Sequence, residues 1–395
     1  MEQLSEISQR RIENTPNAFR RFMLDKIDFN QRLIGVTGGR GTGKTTMLLQ
    51  KLKELSGEEV LYVSLDNVYF SSNNLVDLAD HFYRIGGKYL YVDEVHKYKN
   101  WSQEIKNIYD NHPGLNVVFT GSSAMELSKG SYDLSRRALI YELPGLSLRE
   151  YLQFKYGFDI PAISLKELLY DNNEFSAMVL EKIRPYKYLN EYLRKGYYPY
   201  FKEDEQNYLT RLAATVNLAV ETDLPAIYNI DYNSVIKLKR LLYLIGSFVP
   251  FIPNLKKLAQ QVGTTRDSLL KYLHLLHNAH ILTWISREAW GINFMNKPDK
   301  LYLNNTNIAF ALNAEKTDKG TMRETFFLNQ TSVNHKVTFP QQGDFMLDGE
   351  FVFEVGGKNK SQKQISGLEK AFIVSDEIEY PLKNRIPLWM FGFLY

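Results

Sequence analysis

Two short runs carry the residues best suited to chemistry. The first, Gly38 to Thr45, reads GGRGTGKT and fits the phosphate-binding pattern G-x-x-x-x-G-K-[ST]. Glycines at these places let the backbone curl until successive N–H groups face one anion, and a following helix adds the positive end of its dipole. Gly38, Gly39, Arg40, Gly41, Thr42, Gly43 and Thr46 would surround the phosphates. Lys44 would meet them as a mobile point charge, and Thr45 would offer its hydroxyl to Mg2+. The second run is Asp93-Glu94, closing the apolar stretch Tyr89 to Val92. Asp93 at a strand tip would order the metal shell, and Glu94 beside it would polarise the attacking water.

These residues need elements to carry them. LIGVTGGRGTGKTTMLL, from Leu33 to Leu49, reads as an apolar strand, a glycine-rich turn and a helix opening at Thr45. EEVLYVSL, residues 58–65, predicts a second strand, so one strand lies between the loop and the acidic pair. NVVFTGSS, residues 116–123, predicts a further strand ending in hydroxyls, where ligands of parallel α/β sheets sit. Thr120 and Ser122 are the candidates there to sense the terminal phosphate. ALIYEL, residues 138–143, closes the set, and Arg136 and Arg137 just before it are candidate phosphate contacts, in cis or from a neighbouring subunit. Near the start, NAFRRFMLDKI predicts a helix whose arginines lie on an exposed face, with a phosphate contact as the alternative.

With these motifs, and with the LPGLSLREYL that follows them, the chain resembles a prokaryotic family of AAA+-type ATPases. In that family an N-terminal ATPase is fused to a C-terminal domain of undefined function. Its G-x-R-x-x-G-K-T loop stands here as GGRGTGKT, and its Asp-Glu…Trp segment as Asp93-Glu94…Trp101. The resemblance implies five parallel strands, with the sensing strand between those of the loop and the acidic pair. It also implies a helical lid over residues 146–230. The family's Gly-Gly-x-Pro stands here as Gly196-Tyr197-Tyr198-Pro199, with Tyr197 in place of the second glycine, and Pro199 is the candidate lid contact. Aromatics at helical spacing through that segment read as core.

LKKLAQQVGTTRDSLL fits a helix-turn-helix: Ala259 lets two helices cross, Gly263 takes the turn and Leu269 locks the second helix. Between Val235 and His280, seven basic residues (Lys237, Lys239, Arg240, Lys256, Lys257, Arg266, Lys271) stand against Asp267 alone, although the whole chain carries only +3. Arg266 and Lys271 are the candidate DNA contacts; a purely protein-binding winged helix over residues 231–298 fits equally well. From residue 299 the pattern turns α/β. Glu324, Asp344 and Glu354 resemble the carboxylates of a restriction-endonuclease-like core, as in the family's C-terminal domain. Gly356 stands where the catalytic lysine of that core belongs, so the reading is a degraded nuclease; Lys358 is the nearest lysine, and the alternative is a displaced one, Lys360 or Lys363, reaching back.

Length and composition set the frame. A chain of 395 residues is too long for one ordinary core. The expected division is a P-loop core over residues 1–145, the lid, the winged helix, and the C-terminal domain over residues 299–395. Cysteine is absent, which excludes disulfides and thiolate chemistry. No apolar run approaches the roughly 20 residues of a membrane span, and the N-terminus lacks a signal-peptide core, so a cytoplasmic protein is expected. The expected cofactors are ATP and Mg2+; no Asn-Lys-x-Asp motif favours guanine. DNA, a protein partner and self-association stay open. Three readings compete: an ATPase that moves its other domains, an ATP-gated DNA-binding protein or nuclease, and a nucleotide-sensing scaffold with little turnover.

Overall fold

The computed structural model describes residues 1–55, 59–121, 134, 136–248, 252–287, 298–313 and 318–395. The chain divides into two compact units, Met1–Gly145 and Leu146–Tyr395.

The first unit is built on β1 (Leu33–Thr37), β2 (Val60–Ser64), β3 (Tyr89–Asp93), β4 (Asn116–Thr120) and β5 (Leu139–Glu142), in the order β2-β3-β4-β1-β5. Every pairing is parallel. The acid-bearing strand is thus separated from the loop strand by β4, the order the resemblance implies. Near-continuous apolar runs suit this arrangement, because helices cover both faces of such a sheet. Leu33, Leu61, Val63, Leu90, Val92, Val117 and Phe119 face one cluster with α3 (Leu75–Arg84) and α4 (Trp101–Asn111). Ile34, Val36, Tyr62, Tyr91 and Val118 face the other with α2 (Lys44–Leu55). The N-terminal helix α1 (Glu2–Glu13) lies along the outer strand β2, with Leu4 in the first cluster and Ile12 against the second. It covers an edge that would otherwise expose unpaired backbone. Because all strands run the same way, Thr37, Ser64, Asp93 and Thr120 end at one edge.

The segment Asn17–Ile27 does not form the expected amphipathic helix with exposed arginines. Only Phe22–Asp25 makes a single 3-10 turn, and Arg21 before it is extended and buried. Tertiary bonds override local propensity here: Gln50 on α2 donates to the carbonyls of Pro16 and Phe19 at 2.9 and 2.7 Å, drawing the segment onto α2.

The second unit opens on a buried capping box. Ser147 accepts from the Glu150 N–H at 3.1 Å and starts the helix Leu148–Tyr156, and its hydroxyl donates to the Tyr395 carbonyl at 2.9 Å. The aromatic stretch is core, as its spacing predicts: Tyr151, Tyr192, Phe201 and Tyr208 are buried. Buried Asn307 binds that stretch together, accepting from the Tyr197 N–H and the Tyr208 hydroxyl and donating to the carbonyls of Tyr192 and Leu193. Further on, the helices Leu255–Val262 and Arg266–Asn278 are joined by Gly263, Thr264 and Thr265, with Gly263 at φ 76° and Thr265 capping the second helix. An antiparallel pair, β6 (Leu282–Ile285) and β7 (Lys300–Leu303), follows. A second sheet, of mixed direction, comprises β8 (Val337–Thr338), β9 (Phe345–Leu347), β10 (Phe351–Gly356), β11 (Ala371–Ser375) and β12 (Arg385–Pro387) in the order β12-β11-β10-β9-β8. Among the described residues no helix is long and apolar enough to cross a membrane.

Ser147→Ala removes a helix cap and the bond to the Tyr395 carbonyl together. It is expected to lower unfolding free energy by about 2 kcal/mol, read as an earlier urea transition with unchanged slope.

Candidate functional site

The loop leaves β1 through glycines whose conformations other residues rarely adopt: Gly38, Gly41 and Gly43 have φ of 146°, 83° and 95°. Gly38 is also required by space, since a Cβ there would lie 2.3 Å from the Leu143 carbonyl oxygen. The Thr42 hydroxyl folds back to the Gly39 carbonyl at 2.9 Å. Lys44 is buried, and its Nζ donates to the carbonyls of Gly38 and Gly39 at 2.7 and 3.0 Å. A buried ammonium satisfied by carbonyl dipoles is poised to exchange them for anionic oxygens. Arg40 and Thr46 are exposed. The nest of positive-φ glycines and the buried cation fit a phosphate group.

One clamp on this loop was not legible in its motif. Arg21, 4% exposed, donates to the Thr42 carbonyl at 2.6 Å and to the carbonyls of Pro144 and Gly145 at 2.7 and 2.9 Å. It therefore ties the phosphate loop to the last residues of the first unit. Nothing in the local pattern around Arg20-Arg21 distinguishes the two, yet Arg20 pairs with Glu54 at the surface.

The acids stand where the strand order brings them. Asp93, 2% exposed, accepts at Oδ2 from the Thr45 hydroxyl at 2.6 Å and from the Tyr62 hydroxyl at 2.7 Å. At Oδ1 it accepts from the Thr120 hydroxyl and from the Glu94 N–H, the latter at 3.1 Å. Glu94 sits in the left-handed region at φ 54°, uncommon for a residue with a side chain. Burial pushes its carboxyl above the usual range, against the pull of the Lys44 ammonium. His96 Nε2 lies 3.3 Å from Glu94 Oε2. Thr45 and Asp93 fit a Mg2+ ion, which takes one or two protein oxygens and completes its shell with waters and phosphate. Among the described residues no three His, Cys, Asp or Glu side chains group as a metal cluster, and such a shared site needs none.

Tyr62 was missed by the motifs because it lies mid-strand on β2. Both of its ends are held by α1: its N–H donates to Ser8 Oγ at 2.9 Å, and Arg11 donates to its hydroxyl at 3.0 Å.

The remaining candidates fall elsewhere. Ser122 lies outside the described residues. Arg137 forks onto Asp110 of α4 at 2.9 and 3.1 Å. It precedes β5, at the opposite end of the parallel strands from the loop, so it does not reach a phosphate held by its own chain; Arg136 beside it is exposed. In the second unit, Pro199 opens a 3-10 turn, while Arg266 and Lys271 are exposed on one helix. Glu324, Asp344 and Glu354 do assemble, but around two lysines. Lys300, unforeseen, lies 2.6 Å from Glu324 and 3.8 Å from Asp344; Lys360 lies 2.6 Å from Glu354 and 4.0 Å from Asp344. Gly356 makes room for the second, since a Cβ there would meet the Lys360 stem at 2.5 Å. Burial raises the Glu324 and Glu354 carboxyls despite these ammonium groups.

Residues 30–152 match the family model described as an AAA domain. That segment is an AAA-type P-loop domain. No curated protein matches the chain. Among solved structures, one of C. elegans PCH-2 aligns at 19% identity and TM-score 0.25, covering 39% of this chain and 44% of its own. One described as the structural basis for katanin self-assembly aligns at 18% identity and TM-score 0.27, covering 42% and 59%. The chain thus spans less than two thirds of either, and at these scores the overlaps carry no functional weight. The AAA domain stands on its family match and on the geometry of its loop and acids.

Arg21→Met leaves three carbonyls of the AAA domain and its exit without their donor. The expected loss is about 3 kcal/mol of unfolding free energy, measured by denaturant titration. A loss below about 0.5 kcal/mol, the range of ordinary surface changes, would show that the guanidinium does not hold the loop.

Proposed function

We propose that this protein binds ATP with Mg2+ at the carboxyl edge of its first sheet and hydrolyses it. The observation that carries the reading is the bonded row Thr45–Asp93–Thr120 beside the buried Lys44 ammonium. Lys44 exchanges the Gly38 and Gly39 carbonyls for phosphate oxygens and neutralises them. Thr45 and Asp93 are the residues that would hold Mg2+, which when bound supplies charge neutralisation to the phosphoryl oxygens. Glu94 orients water and takes its proton, a role served by a carboxyl whose affinity for protons is raised. Thr120 touches both Asp93 and the Glu94 N–H, at 3.3 Å for the latter, so a change at either acid is felt on β4.

The same proposal gives the nucleotide state a way out of the AAA domain. Arg21 joins Thr42 of the loop to Pro144 and Gly145, and Leu146 begins the second unit. Movement of a helical lid (146–230), a winged helix (231–298) and an endonuclease-like domain (299–395) is the proposed output, in the cytoplasm. The C-terminal core is read as degraded, because Gly356 stands where its lysine belongs, although Lys360 reaches back to Glu354 at 2.6 Å and to Asp344 at 4.0 Å. The exposed Arg266 and Lys271 keep DNA as a second partner class, tested by a salt-dependent gel shift.

Phosphate release and binding of a fluorescent ATP analogue test the first reading. Lys44→Ala is expected to abolish binding. Glu94→Gln is expected to bind ATP normally and turn over about 100-fold more slowly. Wild-type turnover should fall as pH drops through the raised Glu94 value, because the base works only when deprotonated. Normal turnover in Glu94→Gln removes that residue from the mechanism. Binding without phosphate release, with ATP-dependent change in light scattering, would favour a nucleotide-sensing scaffold.

A further inference from the structure

Asp93 Oδ2 accepts two hydrogen bonds, and their donors are held very differently. Thr45 is the second residue of α2, at the mouth of the loop and only half-buried. Tyr62 is 2% exposed and gripped at both ends by α1. A phenol has one hydrogen, and a guanidinium only donates. With Arg11 donating to the phenol oxygen, the Tyr62 hydrogen is committed to Asp93, which accepts it at 2.7 Å. The Arg11 guanidinium also lies 5.4 Å from the Tyr62 ring centroid.

We propose that Tyr62, held by Arg11 and Ser8, is a positioning residue that fixes the orientation of the Asp93 carboxylate, which together with Thr45 would hold Mg2+. Thr45 and Asp93 would hold the ion through oxygen lone pairs, while the Tyr62 bond keeps one side of the carboxylate pinned. Arg11 and Ser8 precede residue 30, where the AAA-domain match begins. Helix α1 is therefore an addition to the matched domain that reaches its metal-binding acid through one side chain.

The inference rests on the proposed ATP·Mg2+ site, and the experiment separates the two. Tyr62→Phe keeps the ring and its packing and removes only the hydroxyl. Affinity for the fluorescent ATP analogue in EDTA should stay within about twofold of wild type. Affinity of the nucleotide-bound protein for Mn2+, read from the free-ion paramagnetic resonance signal, should fall about tenfold, as for loss of an outer-shell partner. Arg11→Met should shift Mn2+ affinity the same way but less than Tyr62→Phe does, since it releases the phenol without removing it. If wild type binds Mn2+ with nucleotide and Tyr62→Phe binds it equally well, the positioning role is overturned and the site stands. A lowered melting temperature with unchanged Mn2+ affinity overturns it too, marking Tyr62 as packing. If wild type binds neither nucleotide nor Mn2+, the site itself falls, and the inference with it.

Discussion

Asp93 is a carboxylate with 2% of its surface exposed, and an ion so placed persists only when its oxygens are hydrogen-bonded. Its four donors come from α2, β2, β4 and the next residue of its own chain. No local sequence could supply all of them. The order β2-β3-β4-β1 does so by flanking β3 with the strands of Tyr62 and Thr120 and placing the loop strand one further out. The sheet order is thus the means of satisfying one buried charge, and the phosphate loop is brought to the same edge by that order.

The loop depends on a second buried charge, this one positive. Arg21 gathers three carbonyls that belong to the loop and to the chain leaving the first unit. Gly38 adds a steric condition, because its missing Cβ lets the Leu143 carbonyl approach. A glycine-rich turn is by nature loose. Here it is held from below by a guanidinium and from the side by the end of β5. Such support matters for a phosphate cradle, where binding energy is lost if the N–H groups must first be ordered.

What was legible in the sequence follows from distance along the chain. Lys44, Thr45, Asp93 and Glu94 can be named as candidates because loop and strand tip are local patterns, and Thr120 because a strand end is. Tyr62 and Arg21 were not found, because each acts across the fold: Tyr62 is one aromatic in an apolar strand, and Arg21 one of two adjacent arginines. The helix expected over Asn17–Ile27 failed for the same reason, since bonds to Gln50 and to Thr42 outweigh its periodicity. Lys300 was invisible because β7 is brought to Glu324 only by folding. Lys360 was nearer to hand: Gly356 announced the missing lysine, and four residues suffice for the chain to turn and return one.

The two acidic groups of this chain can be told apart by what neutralises them. Around Asp93 the bonded side chains of Thr45, Tyr62 and Thr120 are neutral hydroxyls, which satisfy lone pairs but leave the negative charge available to a cation. Around Glu324, Asp344 and Glu354 stand two ammonium groups, and each of the glutamates meets one at 2.6 Å. A metal entering there would have to displace or repel a lysine already in place. Similar acids therefore favour different outcomes: hydroxyl partners leave the Asp93 charge open to a cation, whereas lysine partners make the second group an internal ion-pair network. That difference in partners, more than the spacing of the acids, is the argument for placing the divalent cation in the AAA domain.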